Sequence, residues 1–174
     1  MGEIVFKPEV YACTHKEGVK RVAAWLGGTK KMAIVMAERV VVASTETPDA
    51  VAWSSRGESI LVEVKVSRAD FHADKNKVFR RDEEMGVGTQ RYFAAPAGML
   101  EAADMPPGWG LLAIHPYQVR EVVKPELKVA NRVAEVQMLV SAMRRLELAA
   151  TVFVYHEEAH AITQPAPAGV KDSA

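Results

Sequence analysis

Apolar and polar positions recur along the chain with two periods, one helical and one strand-like. Val19, Val22, Ala23 and Leu26 follow Thr14, His15, Lys16 and Glu17 at helical spacing, and Gly27-Gly28 closes the segment. Thr14 and Glu17 fit a capping box, so a first helix is predicted here. The β-branched run 39–44 reads as a strand, whereas 32–37 suits helix or strand equally. Residues 50–54 and 59–67 flank a turn at Arg56-Gly57 and predict a hairpin. Ser67-Arg68-Ala69-Asp70 is a second cap signal, opening a charged helix through Phe71, Val78 and Phe79 that ends before 85–88. Strands are expected at 91–95, 110–114 and 118–123, separated by the Pro/Gly-rich stretch 96–108 and the His115-Pro116 break.

Beyond Pro125, Val129, Val133, Val136, Val140 and Met143 mark one face of a long amphipathic helix, expected to pack against the sheet. Residues 151–155 suit a last strand or an extension of that helix. Strands and helices alternate and no repeat is visible, which predicts an α/β fold with a mixed central β-sheet flanked by helices. A single domain over residues 1–162 and a disordered tail over 163–174 complete the expected organisation.

Composition narrows the chemistry. The chain of 174 residues balances 22 Lys+Arg against 22 Asp+Glu, with 49% hydrophobic and 25% charged residues, as in an ordinary globular protein. Zero formal net charge excludes broad electrostatic capture of nucleic acid, so any such contact must be local. Cys13 is the single cysteine, which excludes a disulfide framework and a thiolate zinc site within the chain. The start lacks a basic segment followed by an apolar one, and no apolar run approaches the ~20 residues a bilayer requires. A cytoplasmic protein without a membrane partner is therefore expected.

Candidate catalytic residues emerge from the hairpin. Alternation along 59–67 sends Ile60, Val62, Val64 and Val66 to one face, expected to be the core, and Leu61, Glu63 and Lys65 to the other. If residues 55–57 form a three-residue loop with Gly57 in the left-handed position, Ser54 lies opposite Glu58. Counting back then sets Asp49 opposite Glu63, on the same face. A four-residue loop would slip the pairing by one residue and turn Asp49 away, and Gly57 favours the first register. Two carboxylates this close repel, and a hard divalent cation, Mg²⁺ or Mn²⁺, relieves that repulsion, with backbone oxygen from Val64 completing the shell. Lys65 beside the metal would orient a water and offset charge on a phosphoryl oxygen. An isolated E-x-K is by contrast most often a solvated ion pair.

The surrounding residues make the pattern more specific. Pro48-Asp49, Glu63-Val64-Lys65, the run from Ser67 to Lys75, Arg91-Tyr92-Phe93 and Pro107-Gly108-Trp109-Gly110-Leu111 together resemble the PD-(D/E)XK nuclease superfamily, in its MmcB-like DNA-repair and phage-encoded branch. The resemblance implies a restriction-endonuclease-like core, a metal at Asp49 and Glu63, and Lys65 as catalytic lysine. It also implies a metal-dependent deoxyribonuclease acting in DNA repair, recombination or phage DNA processing. Many members add an upstream acid, for which Glu38 ranks ahead of Glu17 and Glu46. Ser67, Arg68 and Lys75, near the start of the helix after the E-x-K strand, are the expected DNA contacts, whereas Lys77, Arg80, Arg81 and Arg91 alternate with acids and also suit a solvated helix. A homodimer is compatible with the sequence but nothing in it requires one.

Two other readings compete. A nucleic-acid-binding or interaction module could keep the nuclease fold with little activity, consistent with the neutral charge. His156-Glu157-Glu158-Ala159-His160 fits the zinc-peptidase pattern H-E-x-x-H, but a strand-like Val152-Phe153-Val154-Tyr155 precedes it and Pro165 follows closely. That motif is read as a match by composition. His15, His72 and His115 are read as surface or loop residues.

Overall fold

A computed structural model describes residues 11–37, 47–74 and 86–145. Among them, α1 (His15–Gly28), β1 (Ile34–Ala37), β2 (Ala50–Trp53), β3 (Ser59–Val64), α2 (Arg68–Asp74), β4 (Gln90–Pro96), β5 (Gly110–Ile114), β6 (Val119–Val123) and α3 (Arg132–Arg145) follow in chain order. A short 3₁₀ turn, Ala102–Asp104, lies between β4 and β5. The six strands form one sheet in sequence order. β1–β2 and β2–β3 are antiparallel, β3–β4 and β4–β5 are parallel, and β6 returns antiparallel to β5. The fold is α/β with a mixed sheet.

Local chemistry explains the boundaries. At the start of α1 the Thr14 hydroxyl accepts from the Glu17 amide at 3.2 Å while the Glu17 carboxylate accepts from the Thr14 amide at 2.8 Å, the reciprocal cap the sequence calls for. In the β2–β3 hairpin the Ser54 amide donates to the Glu58 carbonyl at 2.9 Å, and Gly57 sits at φ +81°. The loop is therefore 55–57, and only glycine takes its last position without steric cost. Ile34–Ala37 pairs with Ala50–Trp53, which resolves the ambiguous 32–37 segment as strand. The 39–44 run lies outside the described residues.

Both faces of the sheet are core. On one, Val19, Val22, Trp25 and Leu26 of α1 cover Ile60, Val62, Val64, Tyr92, Ala94 and Leu112. On the other, Phe71 of α2 and Ala134 and Met138 of α3 pack with Leu61, Phe93, Trp109 and Leu111. Phe93 stacks on Trp109 at 4.5 Å between ring centroids and meets Phe71 edge-on at 5.0 Å. Leu61, Glu63 and Lys65 lie on the face away from Ile60, Val62 and Val64, as the alternation predicts, and that face is buried as well because α2 and α3 close it.

The second correction concerns α3. Val129, Val133, Val136, Val140 and Met143, expected to pack on the sheet, are exposed, and the buried face is Ala134, Glu135 and Met138. Buried Glu135 sets this orientation. Its carboxylate accepts from the Ser59 hydroxyl at 2.7 Å, the Gly88 amide at 2.9 Å, the Trp53 indole N–H at 3.3 Å and Arg132 at 2.7 Å. Charge-assisted hydrogen bonds of this kind are about twice as strong as neutral ones. Turning the valines inward would break the three bonds to Ser59, Gly88 and Trp53.

Candidate active site

Candidate chemistry gathers where β3 ends. Lys65 N–H still donates to the Ala94 carbonyl at 2.8 Å, so the ladder runs one residue past β3 as assigned. Because Lys65 thereby faces β4 with its backbone, the alternation of the ladder turns the amide and carbonyl of Val64 toward β2. The paired register of β2 and β3, Ala50 with Val62, continued one residue back sets Asp49 opposite Glu63. Asp49 stands just ahead of β2, and its Oδ2 accepts from the Val64 amide at 2.8 Å, a ladder position that β2 leaves open.

The second oxygen of Asp49 has a partner from the far side of the chain. His15, the first residue of α1, places Nε2 at 3.2 Å from Asp49 Oδ1. α1 can lie this close because Gly18 has no side chain: a Cβ there would stand 2.7 Å from Val64 Cγ1. The surface histidine of the sequence reading is therefore also a neighbour of the candidate acid. Its one sequence signal is its place directly after the capping threonine, where the helix start fixes its direction.

Glu63 and Lys65 point to the other layer, between the sheet and α2. Glu63 is 2% exposed and Lys65 5% exposed, which removes both from bulk solvent. Lys65 Nζ lies 3.0 Å from Asp74 Oδ1, 3.5 Å from Glu63 Oε2 and 3.9 Å from Asp70 Oδ1. A buried ammonium needs such compensation, and here one strand acid and two helix acids supply it. The sequence does not mark Asp70 and Asp74 as partners of Lys65, although their i,i+4 spacing puts them on one face of α2.

The remaining expectations separate. Ser67 Oγ accepts from the Asp70 amide at 3.1 Å and so caps α2. Arg68, half exposed, donates to the Met99 carbonyl at 2.8 Å and pairs with Asp104 at 2.7 Å. Arg91 is not on a phosphate-gripping surface: it is buried, its guanidinium donating to the carbonyls of Gly86, Val87, Gly88 and Val129. Glu17 is held by the α1 cap, and the Thr14 backbone N–H, followed by the Thr14 hydroxyl, lowers its pKa below the ordinary carboxylate value. Glu38, Glu46, Lys75 and the 156–160 motif lie outside the described residues.

The donor set can be tested against a hard cation. Among the described residues no three His, Cys, Asp or Glu side chains form a ready-made metal cluster. Mg²⁺ does not demand one, since it keeps several waters and takes one or two carboxylates. Asp49 and Glu63 stand in opposed register and number the carboxylates required, with the Asp49 carboxylate turned to the Val64 amide and His15, and Glu63 turned to the layer of Lys65 and Asp74.

Comparison with known proteins adds to the architecture. No protein-family model matches the chain, and no curated protein matches it either. Among solved structures the chain is similar to SPO1766, a protein of unknown function from Silicibacter pomeroyi, with a TM-score of 0.58 and 25% identity. The alignment covers 79% of this chain and 92% of that one. The likeness supports the α/β fold.

Proposed function

We propose that the chain is a metal-dependent nuclease that hydrolyses DNA phosphodiester bonds, with Asp49, Glu63 and Lys65 at its centre. The observation that carries this reading is the hairpin register, which opposes Asp49 to Glu63 while Lys65 follows two residues along the same strand. Asp49, Glu63 and the Val64 carbonyl would hold Mg²⁺ or Mn²⁺, with Glu38 as a further acid. When bound, such a cation supplies Lewis acidity and lowers the pKa of a coordinated water. Lys65 is fixed by Glu63 and Asp74 in one position, ready to hold an attacking water or offset charge on a phosphoryl oxygen. Arg68 and Ser67, at the start of α2, would provide phosphate contacts beside the β3 end, with Lys75 as a third. The restriction-endonuclease-like core and a role in repair, recombination or phage DNA processing follow from the same resemblance.

A second reading has its own observation. Glu63 and Lys65 are nearly closed to solvent and Lys65 is engaged by acids, as befits a module that binds nucleic acid without cutting it. Both are tested by incubating the protein with single-stranded, duplex and branched DNA in Mg²⁺ or Mn²⁺. Cleavage by the wild type and a loss of at least ~100-fold in Lys65→Ala and Asp49→Asn is the expected result, as for removal of groups acting on the transition state. Asp49→Asn keeps an acceptor for the Val64 amide and so serves as the variant that folds. Cleavage that survives both substitutions overturns the nuclease reading, and binding without cleavage by the wild type establishes the second.

A further inference from the structure

Two buried carboxylates compete for one buried ammonium at the end of β3. Lys65 Nζ lies 3.0 Å from Asp74 Oδ1 and 3.5 Å from Glu63 Oε2, so the helix acid is the nearer of the two. Residues two apart on a strand send their side chains to the same side, and by themselves Glu63 and Lys65 would pair with each other. Asp74 opposes that pairing.

The position of Asp74 is set without Lys65. Phe71, three residues earlier on α2, is buried and meets Phe93 edge-on at 5.0 Å, and Ser67 Oγ caps the helix by accepting from the Asp70 amide at 3.1 Å. Residues three apart share a helix face, so the docking of Phe71 turns Asp74 toward the sheet as well. A lysine carries its charge on a flexible four-carbon stem and moves to the acid that is held in place. Asp70, half exposed with Oδ1 at 3.9 Å from the same Nζ, pulls from the same helix face.

We propose that Asp74 is a positioning residue for the cation site: it draws the Lys65 ammonium off Glu63, so that Glu63 can serve Mg²⁺ or Mn²⁺ while Lys65 stays beside it. This inference rests on the nuclease reading of Asp49, Glu63 and Lys65. An ammonium and a divalent cation on one carboxylate repel, and where Asp74 holds Nζ sets the distance between them. Without the Asp74 carboxylate the nearest acid to Nζ is Glu63. Lys65 then competes with the cation for that acid.

Mn²⁺ affinity of the full chain without DNA, read from the electron paramagnetic resonance of unbound Mn²⁺, tests this in wild type, Asp74→Asn, Lys65→Met and the double variant. Asp74→Asn is expected to weaken Mn²⁺ binding about tenfold or more, the usual cost of removing a partner behind a metal ligand. In the Lys65→Met background the same change is expected to have little effect, because the competing ammonium is gone. Asp74→Glu keeps the carboxylate and should retain most of the affinity. Equal affinity in wild type and Asp74→Asn overturns the proposal, as does a loss that persists undiminished without Lys65, or a folded Asp74→Glu that binds tenfold more weakly. Cleavage assays separate the two readings. A wild type that shows this coupling but cuts no DNA overturns the nuclease reading and leaves the role of Asp74 standing, whereas an Asp74→Asn variant that cuts as fast as wild type overturns that role alone. A wild type that binds no Mn²⁺ overturns both.

Discussion

Lys65 and Glu135 are both buried charged side chains, and each fixes the position of more than its own group. Lys65 joins the end of β3 to α2 through Asp74 and Asp70, so the strand acid Glu63 and the helix acids share one cation. Glu135 joins α3 to the β2–β3 hairpin through Ser59 and Trp53 and to the loop before β4 through Gly88. Glu135→Ala strands a buried hydroxyl and a buried amide, and is expected to cost about 3 kcal/mol or more of unfolding free energy. Urea denaturation measures it, and Glu135→Gln, which keeps a carbonyl acceptor, should lose less. The E-x-K triplet was visible in the sequence because strand alternation places residues two apart on one side. The partners of Lys65 and Glu135 were not, because they come from elements distant in the chain.

At the scale of elements the hairpin has the most direct link to the candidate site. Its loop length fixes its register, and its register decides whether Asp49 and Glu63 oppose each other. Gly57 adopts φ +81° with open space around the position of a side chain, so Gly57→Val meets backbone strain and no clash. A loss of about 1–2 kcal/mol in thermal or urea unfolding is expected from the left-handed backbone alone, and Gly57→Asn should lose less. The hairpin was legible in advance because turn chemistry is local. For α3 the sequence gives a clean helical period but two competing stripes, and apolarity alone chooses the wrong one. Ala134 and Met138 face the sheet because Glu135 between them is satisfied there by Ser59, Gly88 and Trp53. β1 illustrates the same limit, since 34–37 becomes strand only through its pairing with β2.

For the whole molecule, the ionisable groups define how stability varies with pH. The carboxyls of Glu17 and Asp104 are held below their ordinary values, Glu17 by the Thr14 amide first and Asp104 by the Glu101 amide first. Their contribution is complete above the unfolded-state carboxylate pKa and disappears as pH falls through the lowered folded values. Tyr92 has the opposite sense: burial first, then the neighbouring Glu121, raises its phenol far above its ordinary value. That contribution is intact below the unfolded tyrosine value, near 10, and fades as pH climbs from there toward the folded one. Melting temperature measured against pH should thus fall at both limbs, with Glu17→Gln and Asp104→Asn flattening the acid limb and Tyr92→Phe the alkaline one. The sequence by itself determined the α/β alternation, the α1 cap and the hairpin, and through Gly57 favoured the hairpin's register, since each depends on residues within a few positions of one another. Tertiary structure alone decided that both sheet faces are core, that Lys65 lies among Asp70, Asp74 and Glu63, that His15 meets Asp49, and that the valines of α3 face outward. Those outcomes depend on which distant groups can satisfy a buried charge, and periodicity along one chain carries no record of that.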